Sequence, residues 1–222
     1  KMTTNHAADK KSERTHRTAL VIMAKVPIPG QVKTRLIPAL GADGATELAE
    51  QLLNHTVTTA QKTQAFAHVE LCISPSVDHP NLKAHGFALD ITPQGDGDLG
   101  ARMQRAFERL LRNHDAVVMI GTDAPDMTAA LLDGAASELT QSDAVFAPAL
   151  DGGYTLIGLA KTHAQHLSRL FAGIPWSTGE VMTVTRDRLQ SLATEVGLKW
   201  HEYPPMADID EPEDLVRLPR GW

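Results

Sequence analysis

Ala19-Leu20-Val21-Ile22-Met23-Ala24, followed by Lys25-Val26-Pro27-Ile28-Pro29-Gly30, is the stretch on which the fold turns. Its first six residues are all apolar, too short a run for a buried helix and well suited to a strand covered on both faces. The next six cannot prolong that strand. Pro27 and Pro29 lack the backbone donor, and Gly30 admits dihedrals closed to other residues. A buried strand that ends in a shaped loop puts Lys25, Lys33 and Arg35 at the carboxyl edge of a sheet, where open α/β sheets bind their ligands.

Outward from this point the same alternation repeats. A helix is expected over residues 44–65, with Leu48, Leu52 and Leu53 on one face, then a strand over residues 69–73 stopped by Ser74-Pro75. Residues 91–100 read as a loop leading into a helix over 101–111, with Asp98 as its cap. Residues 116–120 form a buried strand whose exit loop is Gly121-Thr122-Asp123-Ala124-Pro125. Asp126 is expected to cap the helix that follows, over residues 129–139. Strands over 144–147 and 154–159 are joined through the sharp turn Asp151-Gly152-Gly153. A helix over 179–194 precedes a strand over 200–203, and Pro212 opens a last helical turn that carries Glu213 and Asp214. Strands alternating with helices specify an α/β fold with a mostly parallel central sheet flanked by helices. One domain is expected over residues 18–222, behind a loose polar leader over residues 1–17.

Composition narrows the function classes. The chain has 222 residues, 42% of them hydrophobic, enough for one sizeable core. Twenty-one Lys and Arg against 27 Asp and Glu leave a formal net charge of -6, which argues against wrapping nucleic acid but leaves room for a local phosphate pocket. The single cysteine, Cys72, excludes an internal disulfide framework and points to a cytoplasmic setting. No apolar run reaches the roughly 20 residues of a membrane-spanning helix, so no membrane partner is expected.

The candidate site residues fall in the loops. A diphosphate needs cationic side chains and backbone donors held in a concavity, and Lys25, Gly30, Lys33 and Arg35 could supply both. A solvated basic loop turned by its prolines is the plain alternative. Asp123, directly after a buried strand, offers a hard oxygen ligand for Mg²⁺ or Mn²⁺, although a turn or cap role would explain it too. Asp151 sits on the glycine turn and is a weaker candidate. Asp208 and Asp210 share a side of an extended segment and could join Asp123 at a metal if the fold brings them there; alone they read as a solvated acidic tail. Gln94 could read a polar edge of a base or sugar, with Gly95 and Asp98 in the same loop. Trp176 suits either an acceptor pocket or core packing, and His201 could reach the site from the last strand. The first loop is neither a Walker A sequence nor a dinucleotide fingerprint, and no zinc motif is present.

Taken in order, these stretches carry a family resemblance. Lys25-Val26-Pro27-Ile28-Pro29-Gly30-Gln31-Val32-Lys33-Thr34-Arg35-Leu36 resembles the opening motif of the DUF2064 family, predicted glycosyltransferases of the nucleotide-diphospho-sugar transferase superfamily. Gln94-Gly95-Asp96-Gly97-Asp98-Leu99-Gly100, Gly121-Thr122-Asp123-Ala124-Pro125, Asp151-Gly152-Gly153-Tyr154 and Asp208-Ile209-Asp210-Glu211-Pro212 match its later landmarks, with Glu211 where related chains often carry Thr. The resemblance implies a GT-A-like fold, Lys25, Lys33 and Arg35 near the donor phosphates, and Asp123 at a metal with Asp208 or Asp210 as a further ligand. The expected activity is metal-dependent transfer of a sugar from a nucleotide-diphosphate donor to a small acceptor. Asp151 and His201 are the candidates for a general base. A nucleotidyltransferase joining an NTP to a phosphorylated or phosphonate molecule needs similar residues, and a non-catalytic nucleotide-binding protein is a third possibility. The oligomeric state is open.

Overall fold

The computed structural model describes residues 16–222, so the leader expected over residues 1–17 falls almost wholly outside the described residues. Among the described residues seven strands form one sheet: β1 (Thr18–Lys25), β2 (Phe66–Ser74), β3 (Asp90–Pro93), β4 (Ala116–Ile120), β5 (Ala144–Pro148), β6 (Tyr154–Ala160) and β7 (Trp200–Glu202). Their order is β3-β2-β1-β4-β6-β5-β7. Only β6 runs against its neighbours β4 and β5; every other pairing is parallel, as expected for a mostly parallel sheet. The chain passes from β1 to β2 on one side and later returns to β4 on the other. The topological switch point therefore lies between β1 and β4, and a ligand crevice opens outside their carboxyl ends.

Burial on both faces explains the unbroken apolar run of β1. Leu20, Ile22 and Ala24 face a core that includes Leu53, Val57 and Leu132, on α1 (Ile37–Gln61) and α4 (Ala129–Glu138). Ala19 and Val21 face a second core built from Met103 and Phe107 of α3 (Leu99–Leu110), Leu170 of α5 (Leu167–Phe171) and Leu189 of α6 (Val181–Val196). Cys72 is buried in that second core, as a strand residue. Among the described residues no helix is long and apolar enough to cross a membrane.

Several element expectations need correction. The loop expected over residues 91–100 begins as a strand: β3 pairs in register with β2, and its side chains are largely exposed at the sheet edge, so no apolar alternation marks it. A short helix, α2 (Pro80–His85), was also not expected. Helix α1 starts earlier, at Ile37, with a break at Gly41 (φ 73°, ψ 169°). Asp126 does not cap α4. The chain turns once more before the helix, so that Thr128 is the cap and its hydroxyl accepts from Leu131 N at 3.2 Å.

Candidate functional site

The loop after β1 first reverses at Ile28-Pro29-Gly30-Gln31, where Gln31 N donates to Ile28 O at 2.9 Å and Gly30 takes a φ of 77°. Proline second and glycine third fit such a turn, because proline pre-sets its own φ and glycine accepts the positive one. The loop then brings Lys33 inward in the left-handed region (φ 47°, ψ 41°), an uncommon conformation for a residue with a side chain. Its side chain is only 7% exposed and its Nζ lies 2.6 Å from Asp123 Oδ1. Arg35, half exposed, donates to Asp210 Oδ2 at 2.8 Å and to Glu211 Oε1 at 3.1 Å. Lys25 is exposed at the end of β1 and has no ion pair among the described residues.

The acidic tail reaches the same edge because an apolar residue inside it is anchored. Ile209 is fully buried against Leu36, Leu48 and Leu52, and its N–H donates to Asp123 O at 2.8 Å. Upstream, Met206 N donates to Pro148 O at 2.8 Å, which lays residues 206–210 across the ends of β5 and β4. With Ile209 turned into the core, the carboxylates on either side of it stay at the edge. Asp210 Oδ1 lies 3.8 Å from Lys33 Nζ, and the Ile209 carbonyl accepts from the same ammonium at 2.5 Å. Ile209 carries no chemistry and was not singled out in the sequence; a lone isoleucine between two aspartates is the signal that could have marked it as an anchor.

Asp151 completes the acidic group. Its Oδ1 accepts from Gly153 N at 2.9 Å, and Gly152 (φ 93°) packs directly on Gly179, so the loop before β6 is held against the segment leading into α6. Burial pushes the half-buried Asp208 carboxyl up to about 6, and the charges of Asp151, Asp123 and Asp210 push the same way. Mutual repulsion among carboxylates of this kind marks a place that favours a cation. Among the described residues no three of His, Cys, Asp and Glu converge closely enough to hold a metal ion on their own. Two carboxylates, from Asp123 and Asp210, with the Ile209 carbonyl nonetheless fit an Mg²⁺ or Mn²⁺ ion whose remaining ligands are water and substrate phosphate. Asp208, half-buried among Asp151, Asp123 and Asp210, is the further carboxylate of this group.

The remaining candidates take other roles. Gln94 is not free to read a base: its amide is buried and donates to Ala24 O at 2.9 Å and to Cys72 O at 3.1 Å, clamping the ends of β1 and β2. Gly95 (φ 75°) is crossed by the Arg105 guanidinium, which donates to Gln94 O and Asp96 O, while Arg102 donates to Gly97 O. These two arginines, unremarked in the sequence, fix the loop as a rigid ledge beside Lys25. Asp98 is spent as the cap of α3, accepting from Ala101 N at 2.8 Å. Trp176 packs partly buried over Gly100. His201 is exposed on the edge strand β7, its ring edge-on to Tyr203, and it is not brought to the carboxylates. Lys33, Arg35, Asp123, Asp151, Asp208 and Asp210 are the sequence candidates that do meet.

Comparisons with known proteins agree with the family resemblance and with the fold. Residues 56–178 match the family described as "Uncharacterized protein conserved in bacteria (DUF2064)". The structure is similar to that of a "putative nucleotide-diphospho-sugar transferase" from Desulfovibrio desulfuricans G20, with a TM-score of 0.79 and 28% identity over 88% of this chain and 83% of that one. It is similar in fold to the 4-diphosphocytidyl-2C-methyl-D-erythritol synthase of Anaerococcus prevotii DSM 20548 (TM-score 0.62, 12% identity, 91% of this chain and 94% of that one). It also resembles the glucosyl-3-phosphoglycerate synthase of Mycobacterium tuberculosis, solved with Mn²⁺, uridine diphosphate and glucosyl-3-phosphoglycerate (TM-score 0.54, 12% identity, 91% of this chain and 75% of that one). No curated protein sequence matches the chain.

Proposed function

We propose, from the premise that this chain belongs to the DUF2064 family and has the GT-A-like fold of the nucleotide-diphospho-sugar transferases, that it transfers a sugar from a nucleotide-diphosphate donor to a small acceptor with the help of Mg²⁺ or Mn²⁺. The observation that carries the proposal is the meeting of Asp123 and Asp210 with Lys33 and Arg35 outside the switch point of the sheet. Carboxylates alone would repel a diphosphate, and cations alone would not hold a metal. The two together can hold a metal–diphosphate.

In this reading the nucleoside lies over the end of β1, on the ledge made rigid by Gln94, Arg102 and Arg105. Lys25, exposed at that edge, and the Lys33 and Arg35 side chains face the diphosphate. Asp123 and Asp210 hold the metal, which when bound offsets the charge that grows on the leaving diphosphate. Asp151, exposed and oriented by Gly153 N, is the candidate to accept the proton of the attacking hydroxyl. The Asp151 loop, held against Gly179, bounds the acceptor side and positions its oxygen.

A nucleotidyltransferase reading has the support of fold likeness to an enzyme such as the Anaerococcus synthase. Lys25, Lys33 and Arg35 would serve a diphosphate and a triphosphate alike; what favours sugar transfer is the likeness to the Desulfovibrio protein, at 28% identity, over that to the synthase, at 12%. Product analysis by phosphorus NMR separates the two. Release of a nucleoside diphosphate supports sugar transfer, and release of pyrophosphate replaces it with nucleotidyl transfer.

A further inference from the structure

The Lys33 ammonium occupies the oxygens that a metal ion would use. Its Nζ is 2.5 Å from the Ile209 carbonyl, 2.6 Å from Asp123 Oδ1 and 3.8 Å from Asp210 Oδ1. Three oxygens from two separate segments thus converge on one cation, and that cation is supplied by the chain itself. The side chain is 93% withdrawn from solvent, and the backbone sits in the left-handed region, which a lysine keeps only where its surroundings hold it there. A divalent ion and an ammonium cannot share these oxygens, because the two positive charges would lie within a few ångströms of each other in a partly dry site.

We propose that Lys33 is a resident counter-cation that makes metal binding conditional on a bound diphosphate. The inference rests on the reading of Asp123 as a metal ligand. Without ligand, the lysine neutralises Asp123 and keeps the tail strapped over the sheet, so Mg²⁺ or Mn²⁺ binds weakly. A diphosphate arriving beside Lys25 and Arg35 offers Lys33 a more negative partner within reach of its four-carbon stem. As the ammonium swings to phosphate, Asp123 Oδ1, Asp210 Oδ1 and the Ile209 carbonyl are released to the metal, while Asp210 Oδ2 stays with Arg35. Metal and nucleotide then raise each other's affinity by the same factor, as linkage requires. Arg35 does not take part in this exchange: it contacts Asp210 Oδ2 and Glu211 rather than Asp123.

The test is titration of MnCl₂ alone into the full chain, with free Mn²⁺ read by electron paramagnetic resonance. The proteins are wild type, Lys33→Met, Lys33→Gln, Asp123→Asn and the Lys33→Met/Asp123→Asn pair. Circular dichroism checks folding, and the two Lys33 variants serve as insurance for each other. Without nucleotide, removing the ammonium is expected to tighten Mn²⁺ binding by at least about 10-fold, the scale of a buried opposite charge. That gain is expected to vanish in the double variant. Equal or weaker Mn²⁺ binding in both folded Lys33 variants, with Asp123→Asn still abolishing the wild-type signal, overturns the exchange and leaves the metal reading intact. Mn²⁺ binding that ignores Asp123→Asn in every background removes the metal reading and this inference with it.

Discussion

Replacing Gly152 by alanine is a stringent test of how the Asp151 loop is held. An added Cβ there would lie 2.1 Å from Gly179 O, 2.6 Å from Gly179 C and 2.7 Å from Gly179 Cα, all backbone atoms that cannot rotate away. The φ of 93° is also one that side-chain-bearing residues rarely adopt. Strain of this sort costs about 1–3 kcal/mol and overpacking a further 1–3 kcal/mol. Relaxation shares the two, which gives an expected loss of about 2–5 kcal/mol. For a domain of this size each kcal/mol shifts the melting temperature by roughly 2–4 °C, so Gly152→Ala is expected to melt roughly 4–20 °C lower. The bond from Met182 N to Gly152 O, 2.8 Å long, is lost as the segments part, and Asp151 moves away from Asp208. Gly30→Ala is the matched control. It has a similar φ of 77° but nothing within 4 Å of the added atom. It should therefore show the conformational cost alone, about 1–2 kcal/mol or roughly 2–8 °C. Differential scanning fluorimetry on both variants decides the matter. Gly152→Ala melting within 1 °C of wild type, or no lower than Gly30→Ala, would refute the packing argument.

Three other predictions rest on buried or crowded polar groups. Glu70, 1% exposed and bonded to Arg109, Thr92 and His68, has its carboxyl held below the usual range: burial alone would raise it, and these partners outweigh that. A depressed carboxyl stabilises the fold above its unfolded value near 4.5 and loses that contribution as pH falls through the folded value. The melting-temperature advantage of wild type over Glu70→Gln, about 1–2 kcal/mol at pH 7 because Arg109 can rehydrate, should shrink between pH 5 and pH 3, both roughly placed; a gap constant with pH would contradict it. Asp208 has the opposite sign: its carboxyl is raised from 3.8 to about 6, so the metal-free fold loses stability as pH rises between those values. Asp208→Asn in the presence of EDTA should therefore be about 1–2 kcal/mol more stable than wild type at pH 7, allowing for partial exposure, and urea titration showing it less stable would count against the crowded-carboxylate account. Gln94→Glu replaces the one amide nitrogen that donates to both Ala24 O and Cys72 O by a carboxylate oxygen; urea unfolding should show a loss of about 2–4 kcal/mol, and a change under about 0.5 kcal/mol would mean the clamp does not form.

Local physics made some elements legible. The apolar runs of β1 and β4 are buried on both faces and could hardly be read otherwise, and Asp98 caps α3 by the ordinary rule. What the sequence hid is mostly long-range. Strand β3 exists because the β2 backbone pairs with it, while its own side chains carry almost no burial signal. Asp126 and Thr128 are both competent caps two residues apart, and only the intervening turn decides between them. Gln94 looks like a ligand reader until the ends of β1 and β2 are seen to surround it. At the site, spacing alone left Asp208 and Asp210 as a solvated tail, because nothing local tells that Ile209 is buried 176 residues from Lys33. The ordered motifs of the family resemblance supplied that meeting. They did not supply its form, with the lysine of the first loop lodged among the carboxylates.

Calorimetric titration with a panel of nucleotide sugars and nucleoside triphosphates, with and without Mn²⁺, on wild type and Asp123→Asn, tests the central claim most directly. The account predicts that one nucleotide sugar binds at least about 10-fold tighter with Mn²⁺ than without, and that Asp123→Asn erases this gain while leaving the fold intact. Binding that is indifferent to Mn²⁺, a gain that survives Asp123→Asn, or a preference for a nucleoside triphosphate over every nucleotide sugar would contradict it.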